Sequence, residues 1–140
     1  MLRLVMSFRD SIKNKLKSSG VTPTAQRVDI AQVLFARPQH LSAEQILKKV
    51  NEESNSTASK ATVYNTLGLF AKKGLVKEVN VDSSKVFYDS NVSKHFHFYN
   101  IDTGVLTDIP VSEINFDKLP ELPEGTESSS LEIIIRIKNN

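Results

Sequence analysis

The sequence contains no cysteine and no long apolar run. With no cysteine among 140 residues, it cannot form a disulfide framework, a four-cysteine zinc site, a thiol nucleophile or a thiol-based redox sensor. No apolar run approaches the roughly 20 residues that a membrane span requires, and the first residues lack the apolar segment of a signal peptide. We therefore expect a cytoplasmic protein with no membrane segment and no disulfide partner.

Charge is divided unevenly along the chain. Residues 1–90 hold 14 Lys and Arg against 8 Asp and Glu, whereas residues 91–140 hold 4 against 8. The length fits one domain or two small ones. A basic first part suits binding to a polyanion such as DNA, which would repel the acidic second part. The alternative interpretation is an ordinary mixture of solvated charges.

Start and stop signals divide the first half of the chain into helices. After a basic amphipathic stretch that ends by Gly20, Thr22 is predicted to cap a second helix with Pro23 in its first turn. Ser42 is predicted to cap a third helix, because Gln45 completes a capping box with it.

A fourth predicted helix is the most informative segment. It follows a polar linker, Asn51–Thr57, and is closed by Gly74 in a C-cap position. Its apolar residues recur at helical spacing and predict an inward face, which leaves Tyr64 and Asn65 on the solvated side close to several lysines. An exposed aromatic among polar and basic groups is typical of a recognition helix in the DNA major groove. A plain surface helix is the alternative.

Strand patterns follow the helices. Leu75–Val81 and Lys85–Tyr88 predict a β-hairpin, and helices followed by such a hairpin form a winged helix-turn-helix. A second hairpin is predicted from His95–Asn100 and Val105–Ile109, and a further strand within Leu131–Lys138. Three turn-forming residues exclude a long helix between them: Pro120, Pro123 and Gly125. The expected fold class is α+β, with a winged-helix domain at 1–90 followed by a small α/β domain at 91–140.

The histidines and nearby carboxylates suggest a metal site. His95 and His97 lie two apart on a predicted strand, so their side chains should share one face. Asp89 precedes them, and the following hairpin could bring Asp108 alongside. Imidazole and carboxylate ligands suit Fe(II), Mn(II) or Zn(II) better than calcium. Two strand histidines without a metal, and a helix-boundary role for His40, are the alternatives.

Four segments together resemble one known family. GVTPTAQRVDIAQVL, HLSAEQIL, KATVYNTLGLFAKKGLV and KHFHFYNIDTGVL are similar, in order and spacing, to the ferric uptake regulator family. The tail, LPELPEGTESSSLEIIIRI, looks more like the iron response regulator branch. The resemblance implies a homodimeric, iron- or manganese-responsive transcriptional regulator, of a kind that includes repressors, which binds A/T-rich inverted repeats in double-stranded DNA.

The resemblance also assigns the functional residues. It implies a dimerisation and metal-binding domain at 91–140 and one divalent metal per subunit, Fe(II), Mn(II) or Zn(II). The implied metal ligands are His40, Asp89, His95, His97 and Asp108. The predicted DNA contacts are Arg27, Lys60, Thr62, Tyr64, Asn65 and Lys72.

The chain departs from its relatives at several of these positions. Asn65 replaces a common arginine, which removes a guanine-reading group and adds one suited to adenine. Asp89 and Asp108 replace glutamates that are usual in many relatives. A second histidine-rich site is expected to be absent, because the chain has Lys94 and Phe96 where its ligands would be.

Two other functions remain as alternatives. The main alternative is a haem- or partner-responsive regulator with a structural metal, which would share the same fold. Some iron response regulators bind haem through a cysteine-proline motif or a longer histidine run, but this chain has no cysteine and only His95 and His97 in that run, so haem binding has no support from the sequence. A metal-dependent hydrolase or dioxygenase could use the same histidines and carboxylates. It is disfavoured because no separate acid or base accompanies them, so we expect a protein that is not an enzyme.

Overall fold

The chain folds into two compact units. A computed structural model describes residues 7–53 and 57–140, and the division between the units falls after Val92. The first unit contains helices α1 (Phe8–Ser18), α2 (Ala25–Leu34), α3 (Ala43–Glu53) and α4 (Lys60–Lys72) and strands β1 (His40–Ser42), β2 (Lys77–Asp82) and β3 (Lys85–Asp89). The second, Ser93–Asn140, contains strands β4 (Phe96–Asn100), β5 (Leu106–Ile109) and β6 (Ile134–Ile137). Within the described ranges, no helix is both long enough and apolar enough to cross a bilayer.

The four helices of the first unit share one apolar core. Each supplies fully buried side chains, among them Leu16, Ile30, Ile46 and Phe70. Burying an aliphatic or aromatic side chain of this size contributes roughly 1.5–3 kcal/mol. Side-chain hydrogen bonds also join α1 to α2, since Arg9 Nη1 donates to Asp29 Oδ1 at 2.8 Å and to Gln32 Oε1 at 3.0 Å. The apolar core and these hydrogen bonds together set the positions of the helices, and thereby the positions of the side chains on their exposed faces.

Helix α2 begins two residues later than the sequence predicts. Its N-cap is Thr24, whose Oγ1 accepts from Arg27 N at 3.3 Å. Thr22, the predicted cap, instead uses its carbonyl, which accepts from Thr24 N at 3.0 Å and from Arg27 Nη1 at 3.0 Å. These bonds hold residues 22–24 in a turn, so Pro23 precedes the helix and does not lie in its first turn.

The predicted capping box of α3 is confirmed. Ser42 N donates to Gln45 Oε1 at 2.8 Å, and Gln45 N donates to Ser42 Oγ at 3.3 Å. Ser42 is also the last residue of β1, a strand that the sequence did not predict. Strand and helix therefore join without an intervening loop.

The polar segment before α4 is shorter than predicted. Residues 51–53 of the predicted linker Asn51–Thr57 form the last turn of α3, and residues 54–56 lie outside the described part. Asn51 explains the difference, because its side chain accepts from Ala58 N at 2.8 Å and donates to Ala58 O at 3.4 Å. Asn51, in the last turn of α3, thus holds the backbone of Ala58, two residues before α4 begins.

Strands β2 and β3 form the predicted hairpin, here called the wing. They pair antiparallel, and Asp82 Oδ1 accepts from the backbone and hydroxyl of Ser84 at the turn. The short β1 pairs with the other side of β3, which gives the sheet order β1-β3-β2. Gly74, with φ of +75°, follows α4 at its predicted place and turns the chain toward the wing.

The second unit is a three-stranded sheet of order β5-β4-β6. Strands β4 and β5 pair antiparallel, as the hairpin prediction requires, and β6 pairs parallel to β4. The helical part of residues 93–140, all of which are described, consists of two 3₁₀ turns, Val111–Glu113 and Phe116–Lys118. The long helix excluded by prolines between Leu119 and Glu127 is absent from this fully described region.

Candidate nucleic-acid interface and metal ligands

Helix α4 has one buried face and one exposed face. Val63, Leu67 and Phe70 are fully buried. The exposed residues are Lys60, Ala61, Tyr64, Asn65, Gly68 and Lys72. The inward face packs into the core of the first unit, so the polar face is directed toward solvent, as predicted.

Thr62, one of the predicted DNA contacts, takes part in the N-terminal cap of α4. Ser59 Oγ accepts from Thr62 N at 3.1 Å and donates to Thr62 Oγ1 at 2.9 Å. The Thr62 side chain is half-buried. This residue therefore stabilises the first turn of the helix.

Tyr64 makes a hydrogen bond that sequence reasoning missed. The residue is 39% exposed, and its Oη donates to Glu44 Oε1, at the start of α3, at 2.5 Å. This bond raises the pKa of Tyr64 and lowers the pKa of Glu44, since it stabilises the neutral phenol and the charged carboxylate. Lys60 Nζ lies 5.8 Å from the centre of the Tyr64 ring. No local pattern could reveal this pair, because the two residues are 20 positions apart.

A groove in the first unit brings together predicted DNA contacts from α2 and α4. It has a volume of about 240 Å³ and is lined by Thr24, Gln26, Arg27, Thr62, Asn65 and Thr66. The Arg27 guanidinium, oriented by the Thr22 carbonyl, lies near the amino end of α2, where backbone N–H groups favour an anion. Lys72 is exposed in the last turn of α4. The first unit therefore presents separated cations around the exposed face of α4.

Two of the predicted metal ligands face each other in the first unit. His40 on β1 is directly opposite Asp89 on β3. Asp89 is 1% exposed, and its Oδ1 accepts from Asn91 N at 2.9 Å. The His40 ring packs edge-on against Phe87, with ring centres 6.2 Å apart. A carboxylate this deeply buried requires strong polar partners, which is typical of a metal ligand or an ion pair.

The other three predicted ligands converge in the second unit. His97 on β4 is opposite Asp108 on β5, and His95 immediately precedes β4. The Nε2 atoms of His95 and His97 lie 3.7 and 3.6 Å from Asp108 Oδ1, and the imidazole centres are 4.6 Å apart. Both histidines are buried, whereas the Asp108 side chain is 51% exposed. The prediction that the hairpin brings Asp108 alongside the histidines is thus confirmed.

The second-unit cluster fits a divalent transition metal. His95 Nδ1 lies 2.6 Å from the carbonyl oxygen of Ser93, which can only accept, so Nδ1 is the donor in this bond and Nε2 is the nitrogen that can coordinate a metal. Ligand atoms about 2.1 Å from one tetrahedral ion lie roughly 3.4 Å apart, close to the separations here. The distances are too long for good hydrogen bonds. Nitrogen and carboxylate ligands of this kind suit Zn(II), Fe(II) or Mn(II).

The fold and these surfaces define a class of protein. Helices α2, α3 and α4 followed by the wing form a winged-helix DNA-binding domain, and an α+β protein with this domain first was the predicted fold class. The "Ferric uptake regulator family" model matches residues 18–135. The chain belongs to this family, whose members are metal-responsive, DNA-binding transcriptional regulators and not enzymes. The family predicted from the sequence is therefore confirmed, and the hydrolase or dioxygenase alternative is excluded.

Comparison with individual proteins agrees with this assignment. The chain is 30% identical over 100 residues to the peroxide-responsive repressor PerR of Staphylococcus aureus, covering 71% of this chain and 67% of PerR. The ferric uptake regulator of Pseudomonas aeruginosa, solved with manganese, is 28% identical and superposes with a TM-score of 0.70, covering 91% of this chain and 96% of its own. The Francisella tularensis ferric uptake regulator, solved with iron, shares the fold at 22% identity, a TM-score of 0.70 and coverage of 86% and 92%.

Proposed function

We propose that the protein is a homodimeric regulator that binds an A/T-rich inverted repeat and responds to iron or manganese. The observation that carries the proposal is the exposed face of α4, where Tyr64 and Asn65 project from a helix whose other side is buried in the core. A helix held in this way can enter the major groove, which is wide enough to admit it. In a dimer, two such helices would read the two halves of a palindromic site.

The exposed residues divide into two proposed roles. The Tyr64 ring would pack on thymine methyl groups, and the Asn65 amide suits the N6 and N7 edge of adenine. Arg27, Lys60 and Lys72 would contact phosphates, which position the helix without reading sequence. Thr62 has the weakest support as a base contact, because its hydroxyl already accepts from Ser59; a phosphate contact suits it better.

The metal ligands are proposed to act as one site. The five residues predicted from the family resemblance, His40, Asp89, His95, His97 and Asp108, would together bind one divalent ion per subunit. The support is the chemistry of each separate set: a buried carboxylate opposite a histidine in the first unit, and two oriented imidazoles beside a carboxylate in the second. Relatives solved with manganese and with iron add to it.

The domain roles follow from these sites. We assign DNA binding to the first domain, predicted as 1–90, and dimerisation to the second, predicted as 91–140. A bound metal shifts the protein toward the conformation that it binds more tightly. It therefore switches DNA binding on only if it binds the DNA-competent conformation more tightly than the conformation that does not bind DNA. The role requires the compartment that contains the DNA, in keeping with the cytoplasmic location expected from the sequence.

One experiment tests the whole proposal. The full chain is purified without added metal, its metal and haem contents are measured, and the apo form is titrated with Mn(II) or Fe(II) in the presence of a library of random duplexes at fixed salt. We expect selection of an A/T-rich inverted repeat only with metal, loss of specific binding in Tyr64→Ala, and a weaker metal response in His95→Ala. Lys48→Ala, an exposed change on α3, serves as the control.

The same titration separates the haem- or partner-responsive alternative. If DNA affinity stays constant across the metal range while one metal remains tightly bound, the metal is structural and another signal controls the protein. Full DNA selectivity in Tyr64→Ala would overturn the assignment of α4 as the reading helix.

A further inference from the structure

We propose that Glu44 positions the Tyr64 hydroxyl so that it faces DNA only as a hydrogen-bond acceptor, and thereby selects bases that carry a major-groove amino group. The inference rests on the proposed function, because it assumes that α4 reads DNA. It adds a residue from α3 that makes no direct base contact. Glu44 is therefore a positioning residue that sets specificity through Tyr64.

The placement of Glu44 is fixed by the start of α3. The reciprocal bonds between Ser42 and Gln45 hold the first turn of this helix, and Glu44 lies within that turn. A carboxylate is also stabilised at this end of a helix by the helix dipole. Its Oε1 is then in place to accept from Tyr64 Oη at 2.5 Å.

The direction of this bond determines what the hydroxyl can offer a ligand. A phenol has one proton to donate, and its oxygen can also accept. The ionised Glu44 carboxylate can only accept, so the Tyr64 proton is committed to it. The oxygen that remains can accept from a donor, but it cannot donate to a phosphate oxygen, to thymine O4 or to guanine O6 and N7.

Only two bases offer a donor in the major groove. Adenine presents its N6 amino group and cytosine its N4 amino group, whereas guanine and thymine present acceptors there. An A·T pair also supplies a thymine methyl group for the Tyr64 ring. The combination of ring and acceptor therefore suits an A·T pair and provides a chemical reason for A/T preference.

The negative charge of Glu44 is expected to lower the overall affinity for DNA, although the residue increases selectivity. Glu44 and Tyr64 line a groove of about 400 Å³ together with Ser84 and Lys85 of the wing. A negative charge in a surface that approaches DNA repels phosphates and lowers affinity for every sequence. A residue that served only to strengthen DNA binding would not be acidic, so its presence favours a role in selectivity.

The experiment uses the operator that the wild-type protein selects from the random duplexes. Each adenine of that operator is replaced in turn by purine, which lacks the N6 amino group. Affinities are measured for wild type, Tyr64→Phe, Glu44→Ala, Glu44→Gln and the double variant Tyr64→Phe with Glu44→Ala. Glu52→Gln, which neutralises another exposed carboxylate of α3, is the matched control.

We expect one adenine position at which purine weakens wild-type binding about five- to tenfold, the worth of one hydrogen bond. Tyr64→Phe should lose this sensitivity, and Glu44→Ala should lose most of it with no further loss in the double variant. Glu44→Gln, whose amide oxygen still accepts from the phenol, should keep the sensitivity while binding random duplexes more tightly than wild type does. Glu52→Gln should retain the wild-type pattern.

The outcomes separate this inference from the function on which it rests. If wild type selects no duplex, the proposed function fails and this inference fails with it. If wild type selects an operator but Glu44→Ala remains as sensitive to purine as wild type, only the role of Glu44 is overturned. A structural role alone predicts lower thermal stability with unchanged purine sensitivity, which also overturns the proposal.

Discussion

Gln39 and Ser90 are joined by reciprocal hydrogen bonds that hold the end of β3 against the segment before β1. Gln39 N donates to Ser90 Oγ at 3.0 Å, and Ser90 N donates to Gln39 O at 3.0 Å. The Gln39 side chain in turn donates to the carbonyls of Val33 and Leu34 near the end of α2. The two proposed ligands of the first unit, His40 and Asp89, are the immediate sequence neighbours of this pair, so it holds them in register.

Ser90→Ala should lower the free energy of unfolding by about 1 kcal/mol, because Gln39 N loses its acceptor in a partly buried position. Urea-induced unfolding measures the change. Ser83→Ala, exposed at the turn of the wing, is the control and should have almost no effect. Equal values for the two variants would show that the Gln39–Ser90 exchange does not stabilise the unit.

Replacement of Gly68 and of Gly74 by alanine should change the free energy of unfolding in opposite directions. Gly68 lies inside α4 with nothing within 4 Å of an added Cβ, so Gly68→Ala should raise the free energy of unfolding by about 0.5–1 kcal/mol. Gly74 has equal space but a φ of +75°, so Gly74→Ala should lower it, by about 1 kcal/mol. Thermal unfolding of both variants tests the pair, and a change of the same sign in both would contradict this explanation.

The Glu44–Tyr64 bond predicts a titration in the alkaline range. The fold favours the neutral phenol and raises the pKa of Tyr64. The bond therefore stabilises the folded protein fully below a pH of about 10, and this stabilisation is lost as the pH rises through the folded-state pKa. Glu44→Ala should bring this pKa back toward 10, as measured by tyrosinate absorbance. Burial also raises the pKa of Tyr88, so Tyr64→Phe is needed to assign the signal. An unchanged curve in Glu44→Ala would mean that the bond does not persist in solution.

Asp108→Ala should weaken Mn(II) binding by at least about tenfold, because the two imidazoles lose the carboxylate that both approach. Calorimetric titration of the apo protein measures the affinity. Asp117→Ala, an exposed carboxylate in the same unit, is the matched control. If the affinity does not change, Asp108 is not a ligand.

Lys72→Ala should weaken binding to the selected operator and to random duplexes by the same factor. As a phosphate contact, it should also reduce the slope of log affinity against log salt by about one. Asn65→Ala, in contrast, should reduce discrimination between the two DNAs with little change in slope. Fluorescence anisotropy over a series of salt concentrations measures both. A sequence-dependent effect of Lys72→Ala would contradict its assignment to phosphate.

Short-range signals in the sequence predicted most of the elements. The inward face of α4, the Ser42–Gln45 box and the wing depend on residues a few positions apart, so periodicity and turn chemistry reveal them. The approach of Asp108 to His97 was also predictable, because a short hairpin fixes which residues are opposite.

The unpredicted features depend on contacts between distant residues. Strand β1 has only three residues, too few to show alternation, and it forms because β3 offers it an open edge. Thr22 and Thr24 are both good cap residues, and the sequence pattern does not show that Thr24 accepts from the Arg27 backbone while the Thr22 carbonyl accepts from the Arg27 side chain. Similarly, the parallel pairing of β6 with β4 has no local signature. The iron response regulator branch and the combined metal site stay predictions.

The direct junction of β1 with α3 also constrains how the gene can vary. His40 is paired with Asp89, and Glu44, four positions later, is bonded to Tyr64. One inserted residue would turn Glu44 by about 100° around the α3 axis and break one pairing or the other. Among relatives that share both pairs, this stretch should tolerate substitutions but no insertions or deletions, whereas the turn of the wing should accept both.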